Sequence, residues 1–210
     1  MSQARRAGAD RLGKVPDAGD ALLVVDVQND FLPGGALGVP RGDEVIAPLN
    51  DYLRKFAQQH LPVFVTRDWH PQQHCSFRGQ GGRWPPHCVA GTGGAEFAAA
   101  LKVPSGARVI SKATRPEADA YSAFQGTDLA LQLHAAGVRR VVIGGLATDY
   151  CVRATALDAL AAGFAVLVLA EAVRAVEARP GDGARALAEM RARGARIAPA
   201  RDRSRSRCGC

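Results

Sequence analysis

The sequence predicts a three-layer α/β/α fold, with a parallel sheet covered by helices on both faces. Short β-rich runs alternate along the chain with segments of helical periodicity, and those runs are apolar at almost every position. Strands buried on both sides read that way, and their alternation with helices argues for parallel pairing through crossovers. A third observation is the placement of chemistry-bearing residues just after the runs. Parallel sheets bind ligands beyond the carboxyl ends of their strands, where strand order reverses.

The elements follow in order. Ala21–Val27 reads as a buried strand. From Asp43 to Gln59, apolar Val45, Ile46, Leu49, Leu53 and Phe56 recur at helical spacing, with Pro48 in the first turns where proline is tolerated. Leu61–Thr66 is the second strand, and a long irregular segment follows from Arg67 to about Gly94. Val109–Ser111 is a third strand after the Pro104-Ser105-Gly106 turn. Thr127–Ala136 is a helix closed by Gly137, and Arg140–Gly144 is a fourth strand. Asp149–Ala161 is a helix closed by Gly163, Phe164–Leu169 a fifth strand, Gly183–Arg193 the last helix and Arg196–Ala198 a short strand. No fixed-period repeat interrupts this order.

Composition bounds the function. A chain of 210 residues suits one α/β domain, expected over residues 19–200. The net charge of +7 suggests nucleic acid until it is located. Arg5, Arg6, Arg11 and Lys14 face only Asp10 near one end, and Arg201, Arg203, Arg205 and Arg207 face only Asp202 near the other. Residues 1–18 and 201–210 are therefore expected to be disordered basic tails on a nearly neutral body. The expectation is no nucleic-acid partner, no membrane partner and a cytoplasmic location, with a homo-oligomer left open. The longest apolar stretch, Phe164 to Ala170, is too short to span a bilayer. Five cysteines (Cys75, Cys88, Cys151, Cys208 and Cys210) are an odd number in a chain of this size, which argues against a disulfide scaffold.

Four distant segments should converge on one rim of such a sheet. Cys151 lies beyond the Gly144-Gly145 pair, in the first turn of a helix for which Thr148 is the expected N-cap. Helix amides and a nearby Lys112 would favour its thiolate, the species that attacks carbonyls. An arbitrary cysteine is more often a small buried hydrophobe; its place on a rim with an aspartate and a lysine reverses that reading. Asp26 interrupts the apolar run Leu22–Val27, and a carboxylate there must be paired or functional. Burial would raise its pKa and suit it to carry a proton. Asp68 and His70 sit two apart in an extended segment, and His87 lies in Trp84-Pro85-Pro86-His87-Cys88, a loop stiffened by two prolines. One carboxylate and two imidazoles make an open site for Zn²⁺, Fe²⁺ or Mn²⁺, zinc being the first choice. His74 is a further ligand or a supporting donor, and Cys88 ranks below His87 as a ligand. Phe31, Trp84 and Tyr121 lie in the same post-strand segments; aromatics there suggest a flat aromatic substrate.

Five motifs in order carry a resemblance. Asp26-Val27-Gln28-Asn29-Asp30-Phe31, Thr66-Arg67-Asp68-Trp69-His70-Pro71, Trp84-Pro85-Pro86-His87-Cys88, Lys112 followed by Tyr121-Ser122-Ala123-Phe124, and Ala147-Thr148-Asp149-Tyr150-Cys151 resemble the nicotinamidases of the isochorismatase-like hydrolase superfamily. The resemblance implies a six-stranded parallel sheet, a catalytic set of Asp26, Lys112 and Cys151, and a metal on Asp68, His70 and His87. It also implies a cis Leu146–Ala147 peptide, with the Ala147 and Cys151 amides receiving an oxyanion. Phe31 and Trp84 would sandwich the ring of nicotinamide, and Tyr121 would close the pocket. The metal would take the pyridine nitrogen, Cys151 would form a thioester, and pyrazinamide would also be accepted, the product feeding NAD salvage. The nearest rival is a metal-free amidase of carbamoyl or ureido compounds; a vinyl-ether-cleaving isochorismatase and a non-catalytic binding module stand further off.

Overall fold

The computed structural model describes residues 15–199. The expected tails, with Cys208 and Cys210, fall outside them except at Val15–Ala18. There Pro16 is buried and the Asp17 amide donates to Asp20 Oδ2 at 2.8 Å.

Six strands form one parallel sheet: β1 (Asp20–Val25), β2 (Val63–Asp68), β3 (Arg108–Lys112), β4 (Arg140–Leu146), β5 (Ala165–Arg174) and β6 (Arg196–Ala198). Their order across the sheet is β3-β2-β1-β4-β5-β6. The helices are α1 (Ile46–Gln58), α2 (Leu129–Ala135), α3 (Arg153–Ala161) and α4 (Asp182–Ala192). Alternation along β1 decides which face each residue serves. Ala21, Leu23 and Val25 pack with Leu129 and Leu133 of α2, Ala156 and Ala159 of α3 and Met190 of α4. Leu22 and Val24 pack on the other side with Leu49, Tyr52, Leu53 and Phe56 of α1. Both faces are dry, which is why the strand runs carry no period-two polar pattern.

The reversal of strand order lies between β1 and β4, so the crevice beyond their carboxyl ends is the ligand site this topology dictates. Val25 is in register with Gly145 there. Gly145 has φ +125°, and a Cβ at that position would overlap the Val25 carbonyl, so only glycine allows the two strands to approach this closely.

Several expected boundaries shift for physical reasons. β1 ends at Val25 because Asp26 turns the chain with φ +49°. Asp68 and Lys112 close their strands instead of following them, because they pair with each other in register. β4 runs on to Leu146, and β5 runs on to Arg174 past a register shift between Ile143 and Gly145. The segment at 42–45 is a 3-10 turn leading into α1. Thr148 is not an N-cap. Ala147 holds the extended cap position, and Thr148–Val152 form a π-helical turn in which the Val152 amide donates to Ala147 O at 3.1 Å. No helix among the described residues is long and apolar enough to cross a membrane.

Candidate active site

Asp26 and Cys151 rise from the central pair, Asp26 just after β1 and Cys151 in the π-turn after β4. Lys112 comes from β3, two strands from β1, a distance of about 10 Å that only a long side chain bridges. Its ammonium reaches across β2 and lies 3.0 Å from Asp26 Oδ2 and 3.6 Å from Cys151 Sγ. It also donates to the Ala120 carbonyl at 3.1 Å and pairs tightly with Asp68 Oδ1. All four side chains are buried.

Burial is expensive for isolated charges, and the pairing here decides which persist. Burial alone would lower the Lys112 pKa, but the Asp26 and Asp68 carboxylates hold it well above the ordinary lysine range. Burial raises Asp26, with Lys112 and the Thr66 hydroxyl opposing the shift. Thr66 Oγ1 donates to Asp26 Oδ1 at 2.6 Å, while Oδ2 has the lysine within ion-pair distance but no aligned hydrogen-bond donor. The raised Asp26 agrees with the sequence reading; the cysteine does not. Burial pushes the Cys151 thiol well above its usual pKa despite Lys112, so the thiol is protonated in this site. Oxygen atoms of Asp26 and Asp68 and the Cys151 sulfur lie within 4.8 Å of one another.

A second group adjoins the first through Asp68. One ligand atom each from Asp68, His70 and His87 lie within 4.8 Å of one another, all on buried residues. His70 Nδ1 donates to the His87 carbonyl at 2.9 Å and His87 Nδ1 to the Pro85 carbonyl at 2.8 Å. Carbonyls only accept, so both rings carry a proton on Nδ1, which leaves Nε2 as the nitrogen each can turn to a ligand. Metal-ligating histidines are oriented by this kind of bond. Burial also holds the His70 pKa down to about 3, leaving it neutral. This donor set fits a divalent cation.

The two other ligand candidates fare differently. His74 stacks on His70 with ring centroids 4.3 Å apart, and its nitrogens meet Ser76 Oγ at 2.8 Å and the Ala118 carbonyl at 3.2 Å. A grouping of His70, His74 and the exposed Asp119 also has one ligand atom each within 4.8 Å of the others. The Cys88 thiol is held protonated by burial and belongs to no ligand group among the described residues.

A mostly apolar pocket opens over Cys151, Asp68 and His87. Phe31, Trp84 and Tyr121 all line it, as does Ala147 of the cis Leu146–Ala147 peptide. Trp84 Nε1 donates to the Tyr121 hydroxyl at 2.9 Å. The structure thus brings Asp26, Lys112, Cys151, Asp68, His70 and His87 together with Phe31, Trp84 and Tyr121, and leaves Cys88 outside the ligand groups among the described residues.

A family model described as the Isochorismatase domain matches residues 20–202. The chain belongs to the isochorismatase family. Within it, the chain is 38% identical over 198 residues to the nicotinamidase of Escherichia coli K12, covering 84% of this chain and 93% of that protein. The pyrazinamidase of Pyrococcus horikoshii, solved in complex with zinc, superposes with a TM-score of 0.83 at 54% identity, covering 86% of this chain and 98% of that one. PnC1 from L. infantum, solved in complex with nicotinate, superposes with a TM-score of 0.75 at 38% identity, covering 85% and 91%.

This isochorismatase-family site also contains residues that sequence reasoning missed. Tyr150 lines the pocket, with its ring 5.4 Å from Trp84 and 5.7 Å from Tyr121 between centroids. An aromatic directly before the nucleophile candidate was the available signal. Gln28 is fully buried and clasps the Asp68 peptide from both sides, accepting from its N–H and donating to its C=O, each at 2.8 Å; a second donation reaches Ala95 O at 2.8 Å. A glutamine inside the Asp26–Phe31 motif was its signal. Leu37, Val39 and Val176 complete the walls from loops with no pattern to announce them.

Proposed function

We propose that this chain is a metal-dependent cysteine amidohydrolase that converts nicotinamide to nicotinic acid and ammonia through a thioester. The reading includes acceptance of pyrazinamide, a cytoplasmic location and a place in NAD salvage. The observation that carries it is the meeting of a buried Asp26–Lys112–Cys151 set and an Asp68–His70–His87 group on one aromatic-walled pocket. The relatives support the substrate: one is named a nicotinamidase, one is a pyrazinamidase in complex with zinc, and one was solved with nicotinate. Asp68, His70 and His87 would hold the ion, with zinc the first choice and iron or manganese the alternatives. When bound, it supplies a Lewis-acid contact for the ring nitrogen that fixes the ring in place.

The chain's own groups then account for the chemistry. Phe31 and Trp84 sandwich the ring and Tyr121 closes over it, excluding water until the acyl group is transferred. Asp26 takes the thiol proton as the Cys151 sulfur bonds to the amide carbon, and the carbonyl oxygen gains the negative charge. The Ala147 and Cys151 amides receive that oxyanion. Asp26 returns the proton to the nitrogen, ammonia departs and the thioester remains. Asp26 next takes a proton from the attacking water. Collapse of that adduct breaks the C–S bond, and Asp26 reprotonates the sulfur. Lys112 stays charged throughout, balancing whichever of Asp26 and Cys151 is anionic.

Ammonia release from nicotinamide by the zinc-loaded protein tests this reading, beside a chelator-treated sample. Rapid release that chelation abolishes and zinc restores supports it. Well-folded, zinc-loaded protein that releases no ammonia refutes it, and undiminished release by metal-free protein favours the carbamoyl-amidase rival.

A further inference from the structure

Tyr150 stands between two cavities. Its ring walls the substrate pocket, and the same residue lines a separate cleft formed by Asp149, Arg153, Asp182, Arg185 and Glu189. Among the described residues it is the one that both linings share. The charges of the cleft are satisfied internally. Arg153 pairs with Glu189 at 2.6 Å, Arg185 pairs with Asp182 at 2.5 Å, and the Asp149 carboxylate accepts the Val176 and Glu177 amides at 2.9 and 3.1 Å. What the cleft offers is therefore room, not an unpaired charge calling for a counterion.

The partition is a side chain that can be removed on its own. Tyr150 meets Trp84 edge-on at 78° and Tyr121 at 42°, whereas Trp84 and Tyr121 are tied to each other by their own hydrogen bond. The backbone of the π-turn that carries Cys151 is held by amides donating to Ala147 O and, through Asp149, by the strap at Val176–Glu177. None of these bonds uses the Tyr150 ring.

We infer that Tyr150 is a specificity-determining residue, the partition that confines this site to amides of a single six-membered ring. This rests on the nicotinamidase reading. A substituent or fused ring extending past the first ring meets the Tyr150 face; with that ring removed, it extends into the cleft behind. Discrimination of this kind comes from excluded volume, which separates substrates more sharply by size than an apolar pocket separates them by one missing methylene.

The test compares kcat/KM for nicotinamide, quinoline-3-carboxamide and 5-phenylnicotinamide, the last two extending the ring from different edges. The zinc-loaded full chain is assayed as wild type, Tyr150→Phe, Tyr150→Leu and Tyr150→Ala. Wild type and Tyr150→Phe are expected to strongly prefer nicotinamide over both larger amides. Tyr150→Ala is expected to narrow that preference about tenfold or more for at least one of them, with Tyr150→Leu between. Tyr150→Leu, which keeps apolar bulk, carries the test if the alanine variant does not fold. Preferences that stay within about twofold of wild type in the small-side-chain variants overturn the inference, as does wild type using the large amides as well as nicotinamide. Wild type that releases no ammonia from nicotinamide overturns the underlying reading instead, and the inference with it.

Discussion

The two halves of the site are held by different means. Asp26 and Cys151 stand at the ends of the paired central strands, and the Val25–Gly145 register sets their approach. His70 and His87 lie in an irregular stretch held by individual bonds. The His70 amide donates to Cys88 O and its carbonyl accepts from Ala90, each histidine ring is pinned by a backbone carbonyl, and Asp30 accepts the Cys88 amide at 2.7 Å. The sheet side owes its geometry to the whole core; the loop side owes it to a short list of polar contacts that a bound cation would complete. Changes on the sheet side should therefore remove chemistry while sparing stability and metal content, and changes on the loop side should disturb all three.

The largest expected effect sharpens that contrast. Cys151→Ala should lower kcat for nicotinamide by about four orders of magnitude or more, with zinc content by plasma mass spectrometry and melting temperature close to wild type. Asp26→Asn comes next, with a loss of about 10² to 10⁴ in kcat. Its stability has a definite sign. Burial raises the Asp26 pKa, so the folded state holds a proton that the unfolded state releases from its ordinary value of 3.8 upward. That group's contribution falls as pH rises from there through the raised folded pKa. Asp26→Asn removes the penalty, and its melting temperature at pH 8 should equal or exceed wild type. A large drop would mean that the pair with Lys112 is structural.

On the loop side, His87→Ala should lose bound zinc and with it about 100-fold or more in kcat/KM, since even changes in supporting residues cost metal sites 10- to 100-fold. Gln28→Met should reduce stability by about 2–3 kcal/mol in urea unfolding, because it leaves the buried Asp68 peptide groups without partners, and should weaken zinc retention in a chelator competition. Should Gln28→Met leave both unchanged, the contrast between the halves would break. The smallest effect is Tyr121→Phe, which removes the acceptor for Trp84; KM for nicotinamide should rise by about fivefold with kcat nearly unchanged.

The same contrast explains what could be read in the chain. Continuous apolar strands, helical periodicities and Gly137 and Gly163 after their helices are local signals, so the layers and the residues at strand ends were legible. The thiol's protonation was not: a helix terminus and a lysine favour the anion, and only the burial of Cys151 shows desolvation prevailing. The π-turn escaped because Thr148 has the residue type of an N-cap, and the choice between α and π geometry depends on how Ala147 meets the sheet. Tyr150, Leu37, Val39 and Val176 wall the pocket through tertiary placement alone. Asp68 is a mixed case. Its pairing with His70 was visible two residues away, but its contact with Lys112 depends on the β2–β3 register.

The most direct test is to look for the acyl group on the sulfur. Zinc-loaded protein is mixed with nicotinamide, quenched in acid within its first turnover, digested and read by mass spectrometry. The account predicts a nicotinoyl adduct on the peptide containing Cys151, absent from Asp26→Asn and lost as nicotinic acid appears. Turnover without any adduct in Cys151→Ala, or an adduct on another residue, would contradict it.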